Sequence, residues 1–320
     1  MSELRWHPLL EQWVVVASHR QDRPQLPTKG CPFCIGSGRV PDNYDVLIYP
    51  NDFPAFSADS EPFHPEPGLF KTTGSQGACD VVLYSPDHNL RPSQLPVEQW
   101  RKVVDLWTAR SRELTTLPYV EYVMVFENSG EAVGVTMPHP HGQIYAFPFT
   151  PPLYDKELTA ASGYMDANQS CIYCELLRRE LADGIRVVAQ NDSFAAFVPF
   201  AARFPGEIAI YARRHFQRLT DMQSNEPQDL ASLISVVRKK YDSLYGILLP
   251  LMMILHQGPA KGDAPYSHFH IDLLPLQRSA TKLKFLAAVE SGAGAFLADT
   301  RAEERARQLR EAEPRTPLVP

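Results

Sequence analysis

Short blocks dense in β-branched and large apolar residues, at 13–16, 80–84, 122–126 and 251–255, predict strands. Two longer stretches, 97–114 and 229–244, return an apolar residue every three or four positions behind polar starts and predict amphipathic helices. The charged, Ala-rich segment Ala302–Glu311 predicts a surface helix, followed by a frayed Pro-rich end. Strand and helix patterns are interspersed, so the expected class is α+β.

A second pattern runs over the whole chain. Cys31 and Cys34 form a CxxC pair, followed by Asn51-Asp52-Phe53, then Asp87-His88, then His139-Pro140-His141. The same order recurs as Cys171 and Cys174, Asn191-Asp192, Arg214-His215 and His268-Phe269-His270. Four landmarks repeated in one order imply an internal duplication. The expected division is 1–162 and 163–320, with the boundary in the polar stretch 160–170 behind the Pro-rich 148–152 turn region.

Composition narrows the chemistry. The 320 residues can bury a sizeable core, and 44% hydrophobic with 21% charged residues is ordinary for a globular protein. A net charge of −6 and no basic run with interleaved aromatics argue against a nucleic-acid partner. The N-terminus has no signal-like apolar run, and the strongest apolar segment, 245–255, is too short to span a bilayer, so no membrane partner and a cytoplasmic location are expected. Five cysteines, four of them in CxxC pairs, suit metal better than disulfides in a reducing compartment. Cys79 is left as a buried small hydrophobe.

Zinc needs four ligands in a tetrahedron, and Cys31, Cys34, His88 and His139 supply them with no open position for a substrate. Anchoring His139 would hold its neighbours His141 and Gln143, which share its face if the segment is extended. A neutral His141 imidazole is a good nucleophile toward phosphorus, and the Gln143 amide can donate to a non-bridging oxygen without losing a proton. Pro140 stiffens this ribbon, and Gly142 leaves its backbone open to a phosphate. The duplication argues for a second zinc set of Cys171, Cys174, His215 and His268. His256 and His270 then fall to polar-network roles and Glu157 to solvent.

The residues 6–8, 12–16, His19-Arg20, Cys31/Cys34, Asn51-Asp52-Phe53, 85–88, Phe126-Glu127-Asn128, 138–143, Arg278-Ser279-Ala280 and Lys284-Phe285 together resemble the galactose-1-phosphate uridylyltransferase family of the histidine-triad superfamily. The resemblance implies two tandem histidine-triad-like domains, each an antiparallel sheet packed with helices. It implies a homodimer acting on a nucleotide sugar and a hexose-1-phosphate, with His141 uridylylated in a ping-pong reaction. Asn51, Asp52 and Asn128 are implied to face the nucleotide. Thr136, replacing the family's serine, is implied to face the phosphate, and Lys284 the hexose phosphate across the dimer. The tyrosine and glutamine that follow the Lys-Phe pair in the family fall at Val289 and Phe296, so sugar-phosphate recognition can differ. For the second metal, plant-type relatives imply the Cys171 set, whereas bacterial ones imply Glu157, His256, His268 and His270, a harder site that takes iron or zinc.

Three other readings compete. An ADP-glucose phosphorylase would use the same histidine with an adenine nucleotide. A histidine-triad hydrolase would carry a third histidine where Gln143 stands. A non-catalytic double-zinc module would leave His141 and Gln143 without a role.

Overall fold

The computed structural model describes residues 2–22 and 30–313. Strands β1 (Glu3–His7) and β2 (Gln12–Val16) form a hairpin, followed by β3 (Leu47–Pro50), β4 (Thr72–Gly74) and β5 (Ala78–Leu83). Helix α1 (Val97–Thr115) leads to β6 (Tyr122–Ser129) and β7 (His141–Phe147). The second half runs α2 (Pro152–Asn168), α3 (Ile172–Asp183), β8 (Val187–Gln190), β9 (Phe194–Phe197), β10 (Ile208–Ala212), α4 (Glu226–Tyr245), β11 (Leu251–His256) and β12 (His270–Pro275). A small hairpin, β13 (Gln277–Ser279) with β14 (Lys282–Leu283), precedes α5 (Ala302–Glu311). The class is α+β, as expected, and the chain folds as two halves in tandem.

Nine strands make one antiparallel sheet in the order β3-β5-β7-β6-β11-β12-β10-β9-β8. The halves meet edge to edge at β6 and β11, with Val125 opposite Leu255 and Ser129 opposite Leu251. Outward from that seam the order is β7 then β5 on one side, and β12 then β10 on the other. Both HxH segments therefore occupy the same place in their half. The short sheet β2-β1-β4 is separate in hydrogen bonding, and its Leu4 packs with Cys79, Tyr145 and Phe147.

One face of the nine-stranded sheet carries the main core. Helix α1 forms because Trp100, Val103, Val104, Trp107 and Leu114 fall on one stripe, and α4 because Leu230, Ile234, Val237 and Tyr241 do. Both stripes pack on Val123, Val125, Ile144 and Ala146 of the first half and on Ile210, Met253, Leu255 and Ile271 of the second. Each fully buried aliphatic side chain contributes about 1.5–3 kcal/mol. One continuous core therefore fastens the two halves together. Helix α4 ends at Gly246, whose φ of 69° suits a left-handed cap.

The other face is covered near β3 and β5 by the loop that carries Cys31 and Cys34. Its Phe33, Val40 and Tyr44 pack on Tyr49, Val81 and Leu83. Two expectations change here. Residues 160–168, expected to hold the boundary, continue helix α2, which ends at Gln169 with φ 53°. Helix α5 is charged yet not purely superficial, because Ala302, Ala306 and Leu309 join the main core. The Pro-rich end, 314–320, lies outside the described residues.

Gly142 lies opposite Val82 and so faces the helix layer. A Cβ there would stand 2.1 Å from the Tyr84 hydroxyl and 3.0 Å from the Phe126 carbonyl. The glycine expected to admit a phosphate thus admits the Tyr84 phenol on this face. Gly142→Ala should lower stability by about 1–3 kcal/mol, and adding Tyr84→Phe should recover part of it. Denaturant unfolding of the three variants checks this, and an unchanged midpoint for Gly142→Ala would refute the close approach.

Candidate active site and metal clusters

The CxxC turn is closed by a hydrogen bond from the Cys34 amide to the Cys31 carbonyl. This sets the Cys34 sulfur 3.5 Å from His88 Nδ1 and 3.9 Å from His139 Nδ1, with the Cys31 sulfur 3.8 Å from His139 Nδ1. A zinc tetrahedron with Zn–S near 2.3 Å and Zn–N near 2.0–2.1 Å has S···N edges of about 3.6 Å. The donor set fits that ion. His139 turns Nε2–H to the Ser85 carbonyl at 2.7 Å, with the Tyr44 hydroxyl at 3.0 Å, which leaves Nδ1 bearing the lone pair. Burial pushes its imidazole down to about 4, favouring the neutral, ligating form.

The second half repeats this arrangement. The Cys174 sulfur lies 3.5 Å from both His215 Nδ1 and His268 Nδ1, and the two imidazole nitrogens are 3.3 Å apart. The Cys171 sulfur completes the group at 3.9 Å from His268 Nδ1. His268 Nε2–H donates to the Ala212 carbonyl at 2.8 Å, as His139 does to Ser85. His268 therefore stands with the thiols, and Glu157, His256 and His270 form a group of their own.

Glu157 was expected in solvent, but its carboxylate accepts a hydrogen bond from His256 Nδ1 at 2.8 Å. On the other side, His256 Nε2 lies 3.4 Å from Asp272, which also faces Arg203. Burial alone would lower the His256 pKa, yet the charges of Asp272 and Glu157 outweigh it and raise the group to about 10. His270 stacks on His256 with centroids 4.3 Å apart and is pushed down to about 4 by burial and by that cation.

His141 opens β7. Its Nδ1–H donates to the His139 carbonyl at 2.7 Å, which makes Nε2 the unprotonated nitrogen of the neutral ring. His270 makes the same bond to the His268 carbonyl at 2.8 Å. The third residue of each CxxC pair packs on the second imidazole, Phe33 at 5.8 Å from His141 and Tyr173 at 4.9 Å from His270. Gln143 lies opposite Phe126, the last pair of β6 with β7, whereas Asp272 lies opposite Ile254 and His256 opposite His270. The halves thus differ beside the second imidazole, where Asn128 lines one cavity with His141 and His256 pairs with His270. Gln143 and Asn128 in the first become Asp272 and His256 in the second.

A cavity of about 160 Å³ is lined by His141, His139 and Asn128 together with Arg91, Arg238 and Asp242. Gln143 is buried on the same strand face as His141. Asn51 caps its own turn, accepting from the Phe53 amide at 2.9 Å. Asp52 accepts from Arg39 and the Tyr49 hydroxyl, and Tyr49 lies in the row with Val81 and Gln143. Thr136 is half-buried in the segment before the HPH motif, outside the residues lining the cavity. Lys284 does not join this group within one chain. It is 1% exposed and its ammonium is held by Glu290 at 3.0 Å and the Leu297 carbonyl at 2.6 Å. The sequence reading missed Arg238 and Arg39, and used Glu127 only as a family landmark. A cation at an apolar-stripe position of α4 and a carboxylate inside an apolar strand were the available signals.

The N-terminal domain model of galactose-1-phosphate uridyl transferase matches residues 1–151, and the C-terminal domain model matches 157–316, which makes this chain a transferase. It belongs to the galactose-1-phosphate uridyl transferase family. The galactose-1-phosphate uridylyltransferase of Thermotoga maritima is 39% identical over 98% of this chain and 99% of its own length. A solved uridylyltransferase superposes with a TM-score of 0.89 at 32% identity, covering 97% of this chain and 98% of the other. The ADP-glucose phosphorylase of Arabidopsis thaliana shares the fold with a TM-score of 0.77 at 24% identity, covering 98% and 100% of the two chains.

The raised pKa of His256 has a consequence for pH. A group raised on folding stabilises fully below its unfolded value near 6.5 and loses that contribution as pH rises toward about 10. Wild type should therefore lose stability over that range relative to His256→Phe. Parallel pH curves of unfolding free energy for the two proteins would refute the ion network.

Proposed function

We propose that the chain moves a uridylyl group between UDP-glucose and galactose-1-phosphate through a covalent intermediate on His141. His141 Nε2 attacks the α-phosphorus of UDP-glucose, an N–P bond forms, and the bond to the glucose-1-phosphate oxygen breaks. A phosphate oxygen of galactose-1-phosphate then attacks the same phosphorus, the N–P bond breaks, and UDP-galactose leaves with His141 restored. The Gln143 amide donates to a non-bridging oxygen as charge develops. The hydrogen bond from His141 Nδ1–H to the His139 carbonyl carries this reading, because it leaves the attacking nitrogen unprotonated and aimed by the backbone. Gln143 in place of a third histidine disfavours a hydrolase, and full-length similarity to uridylyltransferases favours uracil over adenine.

Asn51, Asp52, Asn128 and Thr136 serve the nucleotide and its phosphate in this reading. Both Cys2His2 clusters hold zinc, as their soft thiolates favour, and zinc at the first one clamps His139 without offering a site to substrate. The protein works as a cytoplasmic homodimer. Exposed Phe285, Leu286, Val289 and Leu297 around Lys284 support a partner-facing role for that segment, in which Lys284 exchanges Glu290 for a hexose phosphate. Among the described residues no helix is long and apolar enough to cross a membrane.

Incubation with UDP-glucose should add one uridylyl mass to the intact protein, mapped to His141 and absent from His141→Gly. ADP-glucose should add nothing, and an adenylyl adduct in its place would overturn the uridylyl assignment. Cys31→Ser should lower bound metal by about one ion per chain and slow adduct formation by about 10–100-fold. Unchanged metal content, measured by elemental analysis, would remove the first cluster from the account.

A further inference from the structure

Beneath the nucleophile's ribbon, on the helix side of the sheet, lies a charged cluster that the reaction as described does not use. Glu127 on β6 is completely buried, Arg238 on α4 is 3% exposed, and their ion pair spans 2.9 Å. Arg238 also donates to the Ser129 hydroxyl at 3.0 Å. Beside them the buried Tyr84 hydroxyl feels both charges, and burial with the Glu127 carboxylate holds its pKa well above the usual phenol range. An ion pair this deep contributes little net stability, because the desolvation of both charges offsets their attraction. Apolar residues of equal volume would serve the core as well.

The surroundings point to another role. Tyr84 touches the ribbon at two points. Its amide donates to the Pro140 carbonyl at 3.0 Å, and its hydroxyl occupies the space under Gly142 where a Cβ would stand. The next residue, Ser85, accepts the Nε2–H of His139. Glu127 follows Phe126, which lies opposite Gln143 where β6 pairs with β7. Arg238 comes from the other half of the chain and lines the cavity that contains His141.

We propose that Glu127 and Arg238 are positioning residues for the nucleotidyl transfer. Acting through Tyr84, they clamp residues 139–143 from below, so that the second half of the chain fixes the aim of a nucleophile carried by the first. The pair acts on the chemical step rather than on substrate affinity. This inference rests on the His141 reading for its kinetic arm only.

The test uses full-length, metal-loaded protein and the pair Glu127→Leu with Arg238→Met, which removes both charges and leaves neither partner buried alone. The paired variant should stay folded, with KM for UDP-glucose within about threefold of wild type and kcat lower by about 30-fold. Its amides at 84–85 and 141–143 should exchange with solvent about tenfold faster, read by hydrogen–deuterium mass spectrometry. Arg238→Lys, which keeps a cation, should retain more of kcat than Arg238→Met. A folded paired variant with kcat unchanged overturns the proposal, as does a loss confined to KM, which would make Arg238 a substrate-binding residue. Where the paired variant does not fold, Tyr84→Phe decides, and unchanged kcat and exchange in that protein count against the clamp. Absence of any uridylyl adduct in wild type would sink the His141 reading alone, since the exchange measurement still accepts or rejects the clamp.

Discussion

One imidazole holds the site together. His139 turns Nδ1 to a thiol-lined cluster, gives Nε2–H to the Ser85 carbonyl, and offers its own carbonyl to His141 Nδ1–H. The first two ties fix the ring, and the third passes that fixity to the neighbour two residues on. A free histidine side chain samples several rotamers and two tautomers. Here one tautomer of His141 is selected by the backbone of the residue before Pro140, and Pro140 cannot rotate away from it. Gln143 follows on the same strand face and shares the registration.

The duplication shows which parts of this device are scaffold and which are chemistry. Both halves keep the CxxC turn, the inward Nδ1, the outward Nε2–H to a carbonyl, and the imidazole-to-carbonyl bond within HxH. They part at the positions that would meet a phosphate. Where the first half has neutral Gln143 and Asn128, the second has Asp272 and a cationic His256, closed off by Glu157. A carboxylate at the Gln143 position repels a phosphate and ties up the neighbouring imidazole. The second half is built around a buried ion network, and the two halves share one core and one sheet.

Much of this was legible in the residues. The strands at 80–84, 122–126 and 251–255 and both long helices were marked by apolar rhythm, because each packs one face on the main core. Both Cys2His2 sets followed from repeated spacing, since thiols and imidazoles in matched order have few other uses. Strands β8, β9 and β12 escaped the reading, being short or, in β12, interrupted by His270 and Asp272. Helix α2 was hidden because it carries no apolar stripe, only Tyr154 and Ala161 being buried in it. The Gly142 reading erred because sequence shows that space is needed but not which neighbour takes it, and the neighbour is Tyr84. Glu157 erred for a similar reason, its partner His256 being far along the chain.

The selected tautomer of His141 can be observed directly by nitrogen-15 NMR of histidine-labelled, metal-loaded protein. The account predicts a protonated Nδ1 and an unprotonated Nε2 in the resting enzyme, with a single tautomer populated. A protonated Nε2, or two tautomers in rapid exchange, would contradict it.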